Sequence, residues 1–355
     1  MSIRQEAGQI RLSWPASATN WVLEVSAVLP PAVPWACVMP DNFQTNGESR
    51  VVEVAATMGQ RFYRLRRLTP SVPGLTGHWQ LDEGTGQMSG NEGGSGAVLF
   101  TAGTDWGSGR FGPGALRFNG AAAQAGGSRA WVSNENYRVL PGAGQPFSVS
   151  FWFNPEALTT GWRGLAGTDS TGANGWRVAL NTSGVGTNDL VFAGGGLSVT
   201  GRSLLLPGQW RRVAVTHDGA EGSLYLDGAR LARGAGALPA QAGPIYFGGG
   251  VGGLNSFLGR LDDIRTYTNC LSPEQVALTG HWRFDEGCGD LAVDSSVNGR
   301  HGSVTEATAW APGREGSGID LSYGPVVIRN DQYAVLPPSG GPFSLSFWLR
   351  PEGLP

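Results

Sequence analysis

The sequence contains no lysine; all 25 of its basic residues are arginine. They are scattered and form no basic stripe, so nothing marks a nucleic-acid partner. Charged residues make up only 15% of the 355, against about 25% in ordinary globular domains, and the net charge is −3. No apolar run approaches the ~20 residues of a membrane helix, so no membrane insertion is expected. The opening MSIRQEAGQIRLSWP has no apolar stretch of the ~7–15 residues found in signal peptides, so an export signal would lie outside this chain. Cysteine is scarce: Cys37, Cys270 and Cys288 have no metal-binding spacing, and their odd number leaves at least one unpaired. Cys270 and Cys288 bridge only if the chain between them turns back; free or partly buried thiols are the simpler expectation.

Catalytic patterns are also missing. There is no Glu-x-Asp-x-x-Glu strand, which would set two carboxylates on one face at the ~5–5.5 Å that retaining glycoside hydrolysis needs. There is no Gly-x-Ser-x-Gly elbow and no His-x-x-x-His pair among His78, His217, His281 and His301. The Gly-rich FGGGVGG (247–253) lacks the Lys-Ser/Thr of a phosphate loop. His78 and His281 occupy the same repeat position, which favours a structural role, and His217 reads as a surface imidazole.

What is abundant is glycine, 57 residues, and tryptophan, 13, with hydrophobic residues at 40%. That is too apolar for a disordered chain and enough for a sizeable core. An internal repeat organises the rest. LTGHWQLDEGTGQ (75–87) recurs as LTGHWRFDEGCGD (278–290), with 9 of 13 positions identical. YRVLPGAGQPFSVSFWFNPEALT (137–159) recurs as YAVLPPSGGPFSLSFWLRPEGLP (333–355), with 14 of 23 identical. The offsets, 203 and 196, are far beyond the ~20–50 residues of a solenoid unit, so a whole domain is duplicated. The first copy carries extra residues after Gly120, in the surface-loop run AAAQAGGSRA. The second copy holds no counterpart of 160–277, which reads as a fragment of a longer protein.

The local pattern is β throughout. In 147–153, Phe147, Val149, Phe151 and Phe153 alternate with Ser148, Ser150 and Trp152, the period of a strand with one apolar face. Residues 210–231 read as strand, turn, strand, and 244–250 and 256–267 as further strands. Trp79, Trp152 and Trp210 read as core tryptophans on strands. The one helical signal is Ser272-Pro273-Glu274-Gln275, with an N-cap Ser and Pro at the first helical position. Residues 1–70 read as four or five strands, short of the ~100 residues of an immunoglobulin-type sandwich, as if a first strand or two were missing. Pro-rich 29–34 is a loop and TPSVPG (69–74) a stiff linker.

In order and spacing, GHWQLDEGTG, GALRFNG, FSVSFWFNP, WRRVAVTHDG…LYLDG and GRLDDIRTYTNCLSPEQV resemble a bacterial laminin-G-like jelly roll of the concanavalin A-like lectin/glucanase superfamily. Residues 1–70, ending in FYRLR, are similar to the small fibronectin-like modules that precede such domains. The expected fold class is therefore all-β, in three parts. Residues 1–70 form a small immunoglobulin/fibronectin-like sandwich, 71–277 a complete jelly roll, and 278–355 an incomplete second one. The resemblance implies two antiparallel sheets, loop rims that bind glycans in many relatives, and often a calcium ion. It implies an extracellular or cell-surface location.

The first copy departs from the family pattern: DSSVNGRHG (294–302) in copy two is replaced by SGNEGGSGA (89–97). Pairing of first and last strands, usual in this fold, would bring Asp82 and Glu83 toward Asp262 and Asp263, a candidate calcium set, although turn-capping carboxylates are the plainer expectation. For sugar, the candidates are Trp162, Trp176, Asn174, Asn181, Asn188 and Asp189, an aromatic-plus-amide set in 160–190. The expected function is non-catalytic binding or adhesion, with a glycan or a cell-surface protein as partner. The alternatives are a ligand-free spacer or an accessory region of a polysaccharide-degrading enzyme.

Overall fold

The computed structural model describes the chain except residues 7–8, 16–20, 28–35, 39–42, 47, 56–59, 68–73, 94, 123–126, 169–174, 183–186, 240–242, 252, 297, 299, 305–308, 315, 323, 330–334, 337–342 and 352–355. Asn174, the loop at 29–34 and nearly all of the linker lie outside the described residues. Residues 1–70 with 279–355 form one compact unit and 71–278 the other.

Among the described residues of the first seventy there are seven strands, more than the alternation alone marks. They are β1 (Ser2–Glu6), β2 (Gln9–Pro15), β3 (Trp21–Ser26), β4 (Ala36–Cys37), β5 (Phe43–Asn46), β6 (Ser49–Ala55) and β7 (Phe62–Arg67). They pair as β1-β2-β6-β5 and β4-β3-β7. Leu12, Trp14, Leu23 and Val52 are buried, with Tyr63 and Leu65 packed against them.

The middle unit contains β8 (Leu75–Trp79), β9 (Met88–Ser89), β10 (Leu99–Ala102), β11 (Asp105–Gly107), β12 (Ala115–Asn119), β13 (Arg129–Ser133), α1 (Asn134–Tyr137), β14 (Phe147–Pro155), β15 (Gly161–Thr168) and β16 (Arg177–Thr182). It continues with β17 (Thr187–Gly194), β18 (Leu197–Leu204), β19 (Arg211–His217), β20 (Glu221–Leu226), β21 (Ala229–Ala235), β22 (Pro244–Phe247), β23 (Asn255–Ser256), β24 (Leu258–Tyr267) and α2 (Pro273–Ala277). One sheet runs β18-β17-β16-β15-β22-β13-β10-β9, with β23 beside β15. The other runs β11-β12-β24-β14-β19-β20-β21, with β8 beside β24. First and last strands do pair, His78 opposite Arg265 and Trp79 opposite Ile264.

The core lies between these sheets. Phe147, Phe151 and Phe153 of β14 meet Trp176, Phe192, Phe247 and Phe257 from the other side. Each such ring contributes about 1.5–3 kcal/mol by leaving water. Asp227-Gly228 makes the two-residue β20–β21 turn, with φ of 50° and 85°, the left-handed pair that a tight hairpin needs. Ser272 caps α2 with Gln275 in a reciprocal capping box, as its sequence predicts. Among the described residues no helix is long and apolar enough to cross a membrane.

Several expectations are corrected. Trp210 lies outside the strands and is half-buried, because β19 begins only at Arg211. Trp152 faces away from the core and packs edge-on against Phe111, 5.4 Å between ring centroids. His217 is buried, not a surface group. It ends β19, accepts the Gly219 amide through Nδ1 at 3.1 Å, and lies 2.9 Å from the Gly236 carbonyl through Nε2. Cys270 is a free thiol and Cys288 lies in a disulfide, so the two do not bridge each other.

The last segment contains β25 (Leu291–Ala292), β26 (Gly302–Val304), β27 (Ala309–Pro312), β28 (Ser317–Asp320) and β29 (Val326–Val327). They pair as β25-β26-β29 and β27-β28.

Candidate functional site

The outward face of the β15–β18 hairpins carries the site. Strand register sets Trp162 opposite Asn181, Asn181 opposite Asp189 and Asp189 opposite Arg202. Directly opposed residues share a face of a sheet. The neighbouring row, Leu180 and Leu190, is buried in the core, so Trp162, Asn181, Asp189 and Arg202 point away from it. Trp162 is 39% exposed. The Arg177 guanidinium sits 5.7 Å from its ring centroid, within cation–π reach. Arg202 Nε donates to Asp189 Oδ1 at 3.2 Å. The row thus lines up a flat ring, an amide, a carboxylate and a guanidinium on four adjacent strands, about 4.8 Å apart.

Two predicted residues fall elsewhere. Trp176 is 1% exposed and packs against Phe147 and Phe192, so it reaches no ligand. Asn188 shares the inward phase of Leu190 and Phe192 and is completely buried. One-residue alternation decides Asn188, since a side chain one position along a strand faces the opposite side, while Trp176 precedes β16 and packs into the core. Arg202 completes the row and Arg177 reaches its ring from the far end of β16; the sequence alone singles out neither. Arg202 sits in the alternating run LSVTGRSL, where its polar phase is readable but its cross-strand partner is not.

The four carboxylates proposed for calcium each engage partners within the protein. Asp263 is a left-handed residue, φ 50°, at an irregularity where β24 shifts register against β14. Its carboxylate accepts from Arg265 Nε at 3.0 Å and Nη2 at 2.9 Å and meets His78 Nε2 at 2.8 Å. Burial pushes this carboxyl up, but Arg265 and His78 outweigh it and hold it at about 2. Burial lowers the His78 pKa, with Arg265 adding to the effect. Asp262 Oδ2 accepts the Arg110 amide at 2.5 Å and the Phe111 amide at 3.1 Å, and burial, then Asp263, push its carboxyl up to about 8. Asp82 caps the Gly114 amide at 3.0 Å and Glu83 the Gly90 amide at 2.8 Å. Asp82, Glu83 and Asp262 thus face backbone N–H donors, and Asp263 faces Arg265 and His78. Among the described residues no group of three or more His, Cys, Asp or Glu is placed to hold a metal.

Residues 125–277, from just before β13 to the end of α2, match the family model described as the concanavalin A-like lectin/glucanases superfamily. This segment is similar to that superfamily. Its laminin-G-type jelly roll extends in the structure to β8, since β8 to β12 complete the same two sheets. Among solved structures, the chain is similar to domain 4 of AbnA, an extracellular arabinanase from Geobacillus stearothermophilus, in complex with arabinotriose. The identity is 22%, with 57% of this chain and 96% of that chain covered, at a TM-score of 0.42. It is similar also to the binding domain of Paraclostridial Mosquitocidal Protein 1, at 16% identity, with 57% and 51% covered and a TM-score of 0.43. A third is a Trypanosoma rangeli sialidase, at 17% identity, with 58% and 33% covered and a TM-score of 0.43. The chain spans only about half the length of the second of these and a third of the last.

Proposed function

We propose that the jelly roll is a non-catalytic glycan-binding module of an exported protein, with Trp162, Asn181, Asp189 and Arg202 as its sugar contacts. The observation that carries this reading is the exposed Trp162 ring at the head of a row of hydrogen-bonding side chains on an open sheet face. A sugar offers a C–H face to an aromatic ring and hydroxyls to amides, carboxylates and guanidinium groups around it. Among the described residues Asp189 is the one acidic residue at an outward strand position of this sheet, and glycoside hydrolysis normally uses two opposed carboxyl groups. The row therefore supports holding a saccharide and does not support cleaving one.

The test is a panel of plant, algal and host polysaccharides presented to the whole chain, followed by titration calorimetry on the best ligand. Trp162→Ala is expected to weaken binding by at least about tenfold, as loss of a buried aromatic contact does at binding hot spots. Absence of binding across the panel would sink this reading in favour of a spacer, and hydrolysis of any polysaccharide would replace it with an enzyme.

A further inference from the structure

The same sheet face carries a second aromatic cluster, separated from the Trp162 row by a turn. Gly164 and Gly167 of β15 leave bare backbone, and the turn bearing Val251 packs there: a Cβ on either glycine would stand 2.8–3.0 Å from Val251. Beyond it the register runs Gly167, Tyr246, Trp131, Phe100, Met88, each residue opposite the next on β15, β22, β13, β10 and β9. Tyr246 is tucked under Gly250, whose Cβ position lies 2.6 Å from its ring. The outer part of the row stays open, with Phe100 36% and Met88 56% exposed. Phe100 stacks on Trp131 at 5.9 Å between centroids and 26° between planes. The Arg129 guanidinium lies 5.6 Å from the Trp131 ring.

Resting on the glycan-binding reading, we propose that Phe100, Trp131 and Arg129 form a second sugar subsite, and that the ligand is an acidic polysaccharide long enough to reach both clusters. Reach follows from sheet geometry. Trp131 and Trp162 stand two strands and about four residues apart, a diagonal of roughly 16 Å at ~4.8 Å per strand and ~3.3 Å per residue. That is roughly three sugar rings in a row, so a disaccharide fills one cluster and a longer chain both. Acidity follows from charge. The protein as a whole is net negative, −3, yet among the described residues the outward strand positions of this sheet hold Arg129, Arg177 and Arg202 against the single Asp189, which Arg202 already engages. A guanidinium beside a ring face suits a sugar that presents both a C–H face and a carboxylate, because arginine pairs with carboxylates through two parallel hydrogen bonds.

The experiment is calorimetry on the whole chain with galacturonate and alginate oligosaccharides, from disaccharide to decasaccharide, beside neutral galactose oligosaccharides of equal length. The expected result is uronate binding that tightens at least about tenfold once the chain spans both clusters, the gain of a linked second contact. Phe100→Ala and Arg129→Gln should each remove this length dependence, and Phe100→Thr, which removes the ring but puts a strand-favouring β-branched residue in its place, guards against a folding defect. Length-independent affinity, or length dependence that survives Phe100→Ala, overturns the second subsite and leaves the Trp162 site standing. Equal affinity for neutral and acidic chains overturns the acidic ligand. Failure of the unaltered protein to bind any glycan overturns both readings together.

Discussion

The two repeat copies share the side-chain contacts of their opening segment but not the strands that pair with β24, since 75–79 is β8 and 278–282 is no strand. In copy one the His78 amide donates to Asn91 Oδ1 at 2.8 Å, and in copy two the His281 amide donates to Asp294 Oδ1 at 2.8 Å. Trp79 Nε1 donates to the Ala97 carbonyl and Trp282 Nε1 to that of Arg300. Asp82 caps Gly114 as Asp285 caps Ser317, and Glu83 caps Gly90 as Glu286 caps Val293. Every pair is displaced by 203 residues. These contacts span 7 to 32 residues and lie within the stretch that both copies share. The strand motif behaves differently. FSVSFWFNP is β14, buried between β19 and β24. In its near-twin, Phe343, Leu345, Phe347, Trp348 and Leu349 are 64–79% exposed and not in a strand. The counterparts of β19 and β24 do not occur within the 355 residues. Identical alternation yields a strand only where neighbours supply hydrogen bonds and a second apolar layer.

The largest expected effect is in hydrogen exchange. Amides of 147–155 should open only with global unfolding, about 5 kcal/mol or more, while those of 343–350 exchange near the unprotected rate. Equal protection of the two segments would break the comparison. Next, Phe151→Ala should cost about 3–5 kcal/mol in denaturant unfolding of the middle unit, whereas Phe347→Ala at the matching position costs nothing measurable. A third change addresses Asp262, on the strand that only copy one contains. Its carboxyl titrates near 8 when folded and near 3.8 when unfolded, so the unfolded chain releases the proton first as pH rises. That acid therefore costs stability progressively from about pH 4 to 8, by the standard linkage. Asp262→Asn keeps an acceptor for the Arg110 and Phe111 amides and should raise stability at pH 7 by about 2 kcal/mol. Melting curves of the variant should lose most of the wild-type decline between pH 5 and 8; an unchanged slope would reject the assignment.

The smallest effect concerns Asn91 and Asp294. Asn91 Nδ2 donates to the Thr76 carbonyl at 3.0 Å and to Ser95 Oγ at 2.7 Å. At the same place Asp294 Oδ2 accepts the Arg300 amide at 2.7 Å and Ser296 Oγ at 2.9 Å. Copy one presents a carbonyl there and needs a donor; copy two presents an N–H and needs an acceptor. Asn91→Asp and Asp294→Asn should each cost about 1–2 kcal/mol, measured by thermal melting of the whole chain. A stabilising result for either would show that the side chain follows something other than these partners.

The duplication, the β pattern, the aromatic inner face of β14 and the capping box of α2 were all legible, because each rests on spacing within one segment. Part of the proposed sugar-contact row was legible as a cluster too. Trp162, Asn181 and Asp189 read as a suitable group, and the strands bring them together. Asn188 was misplaced because aromatic-plus-amide composition does not reveal the phase of a strand, and Trp176 because it does not reveal which ring packs into the core. Phe100, Trp131 and Arg129 were missed although Arg129 and Trp131 alternate with the inward Ala130 and Val132. Only pairing of β10 with β13 makes them neighbours.

By itself, then, the sequence determined what depends on nearby residues: the repeat, the strand period, the caps and tight turns, and the lack of a catalytic carboxylate triplet. The tertiary structure alone decided which side chains stand opposite one another, which acids are spent on arginine and backbone amides, and whether an apolar strand is covered. Register and burial are set by partners far along the chain. A period-2 pattern carries its own faces but not the identity of the strand beside it.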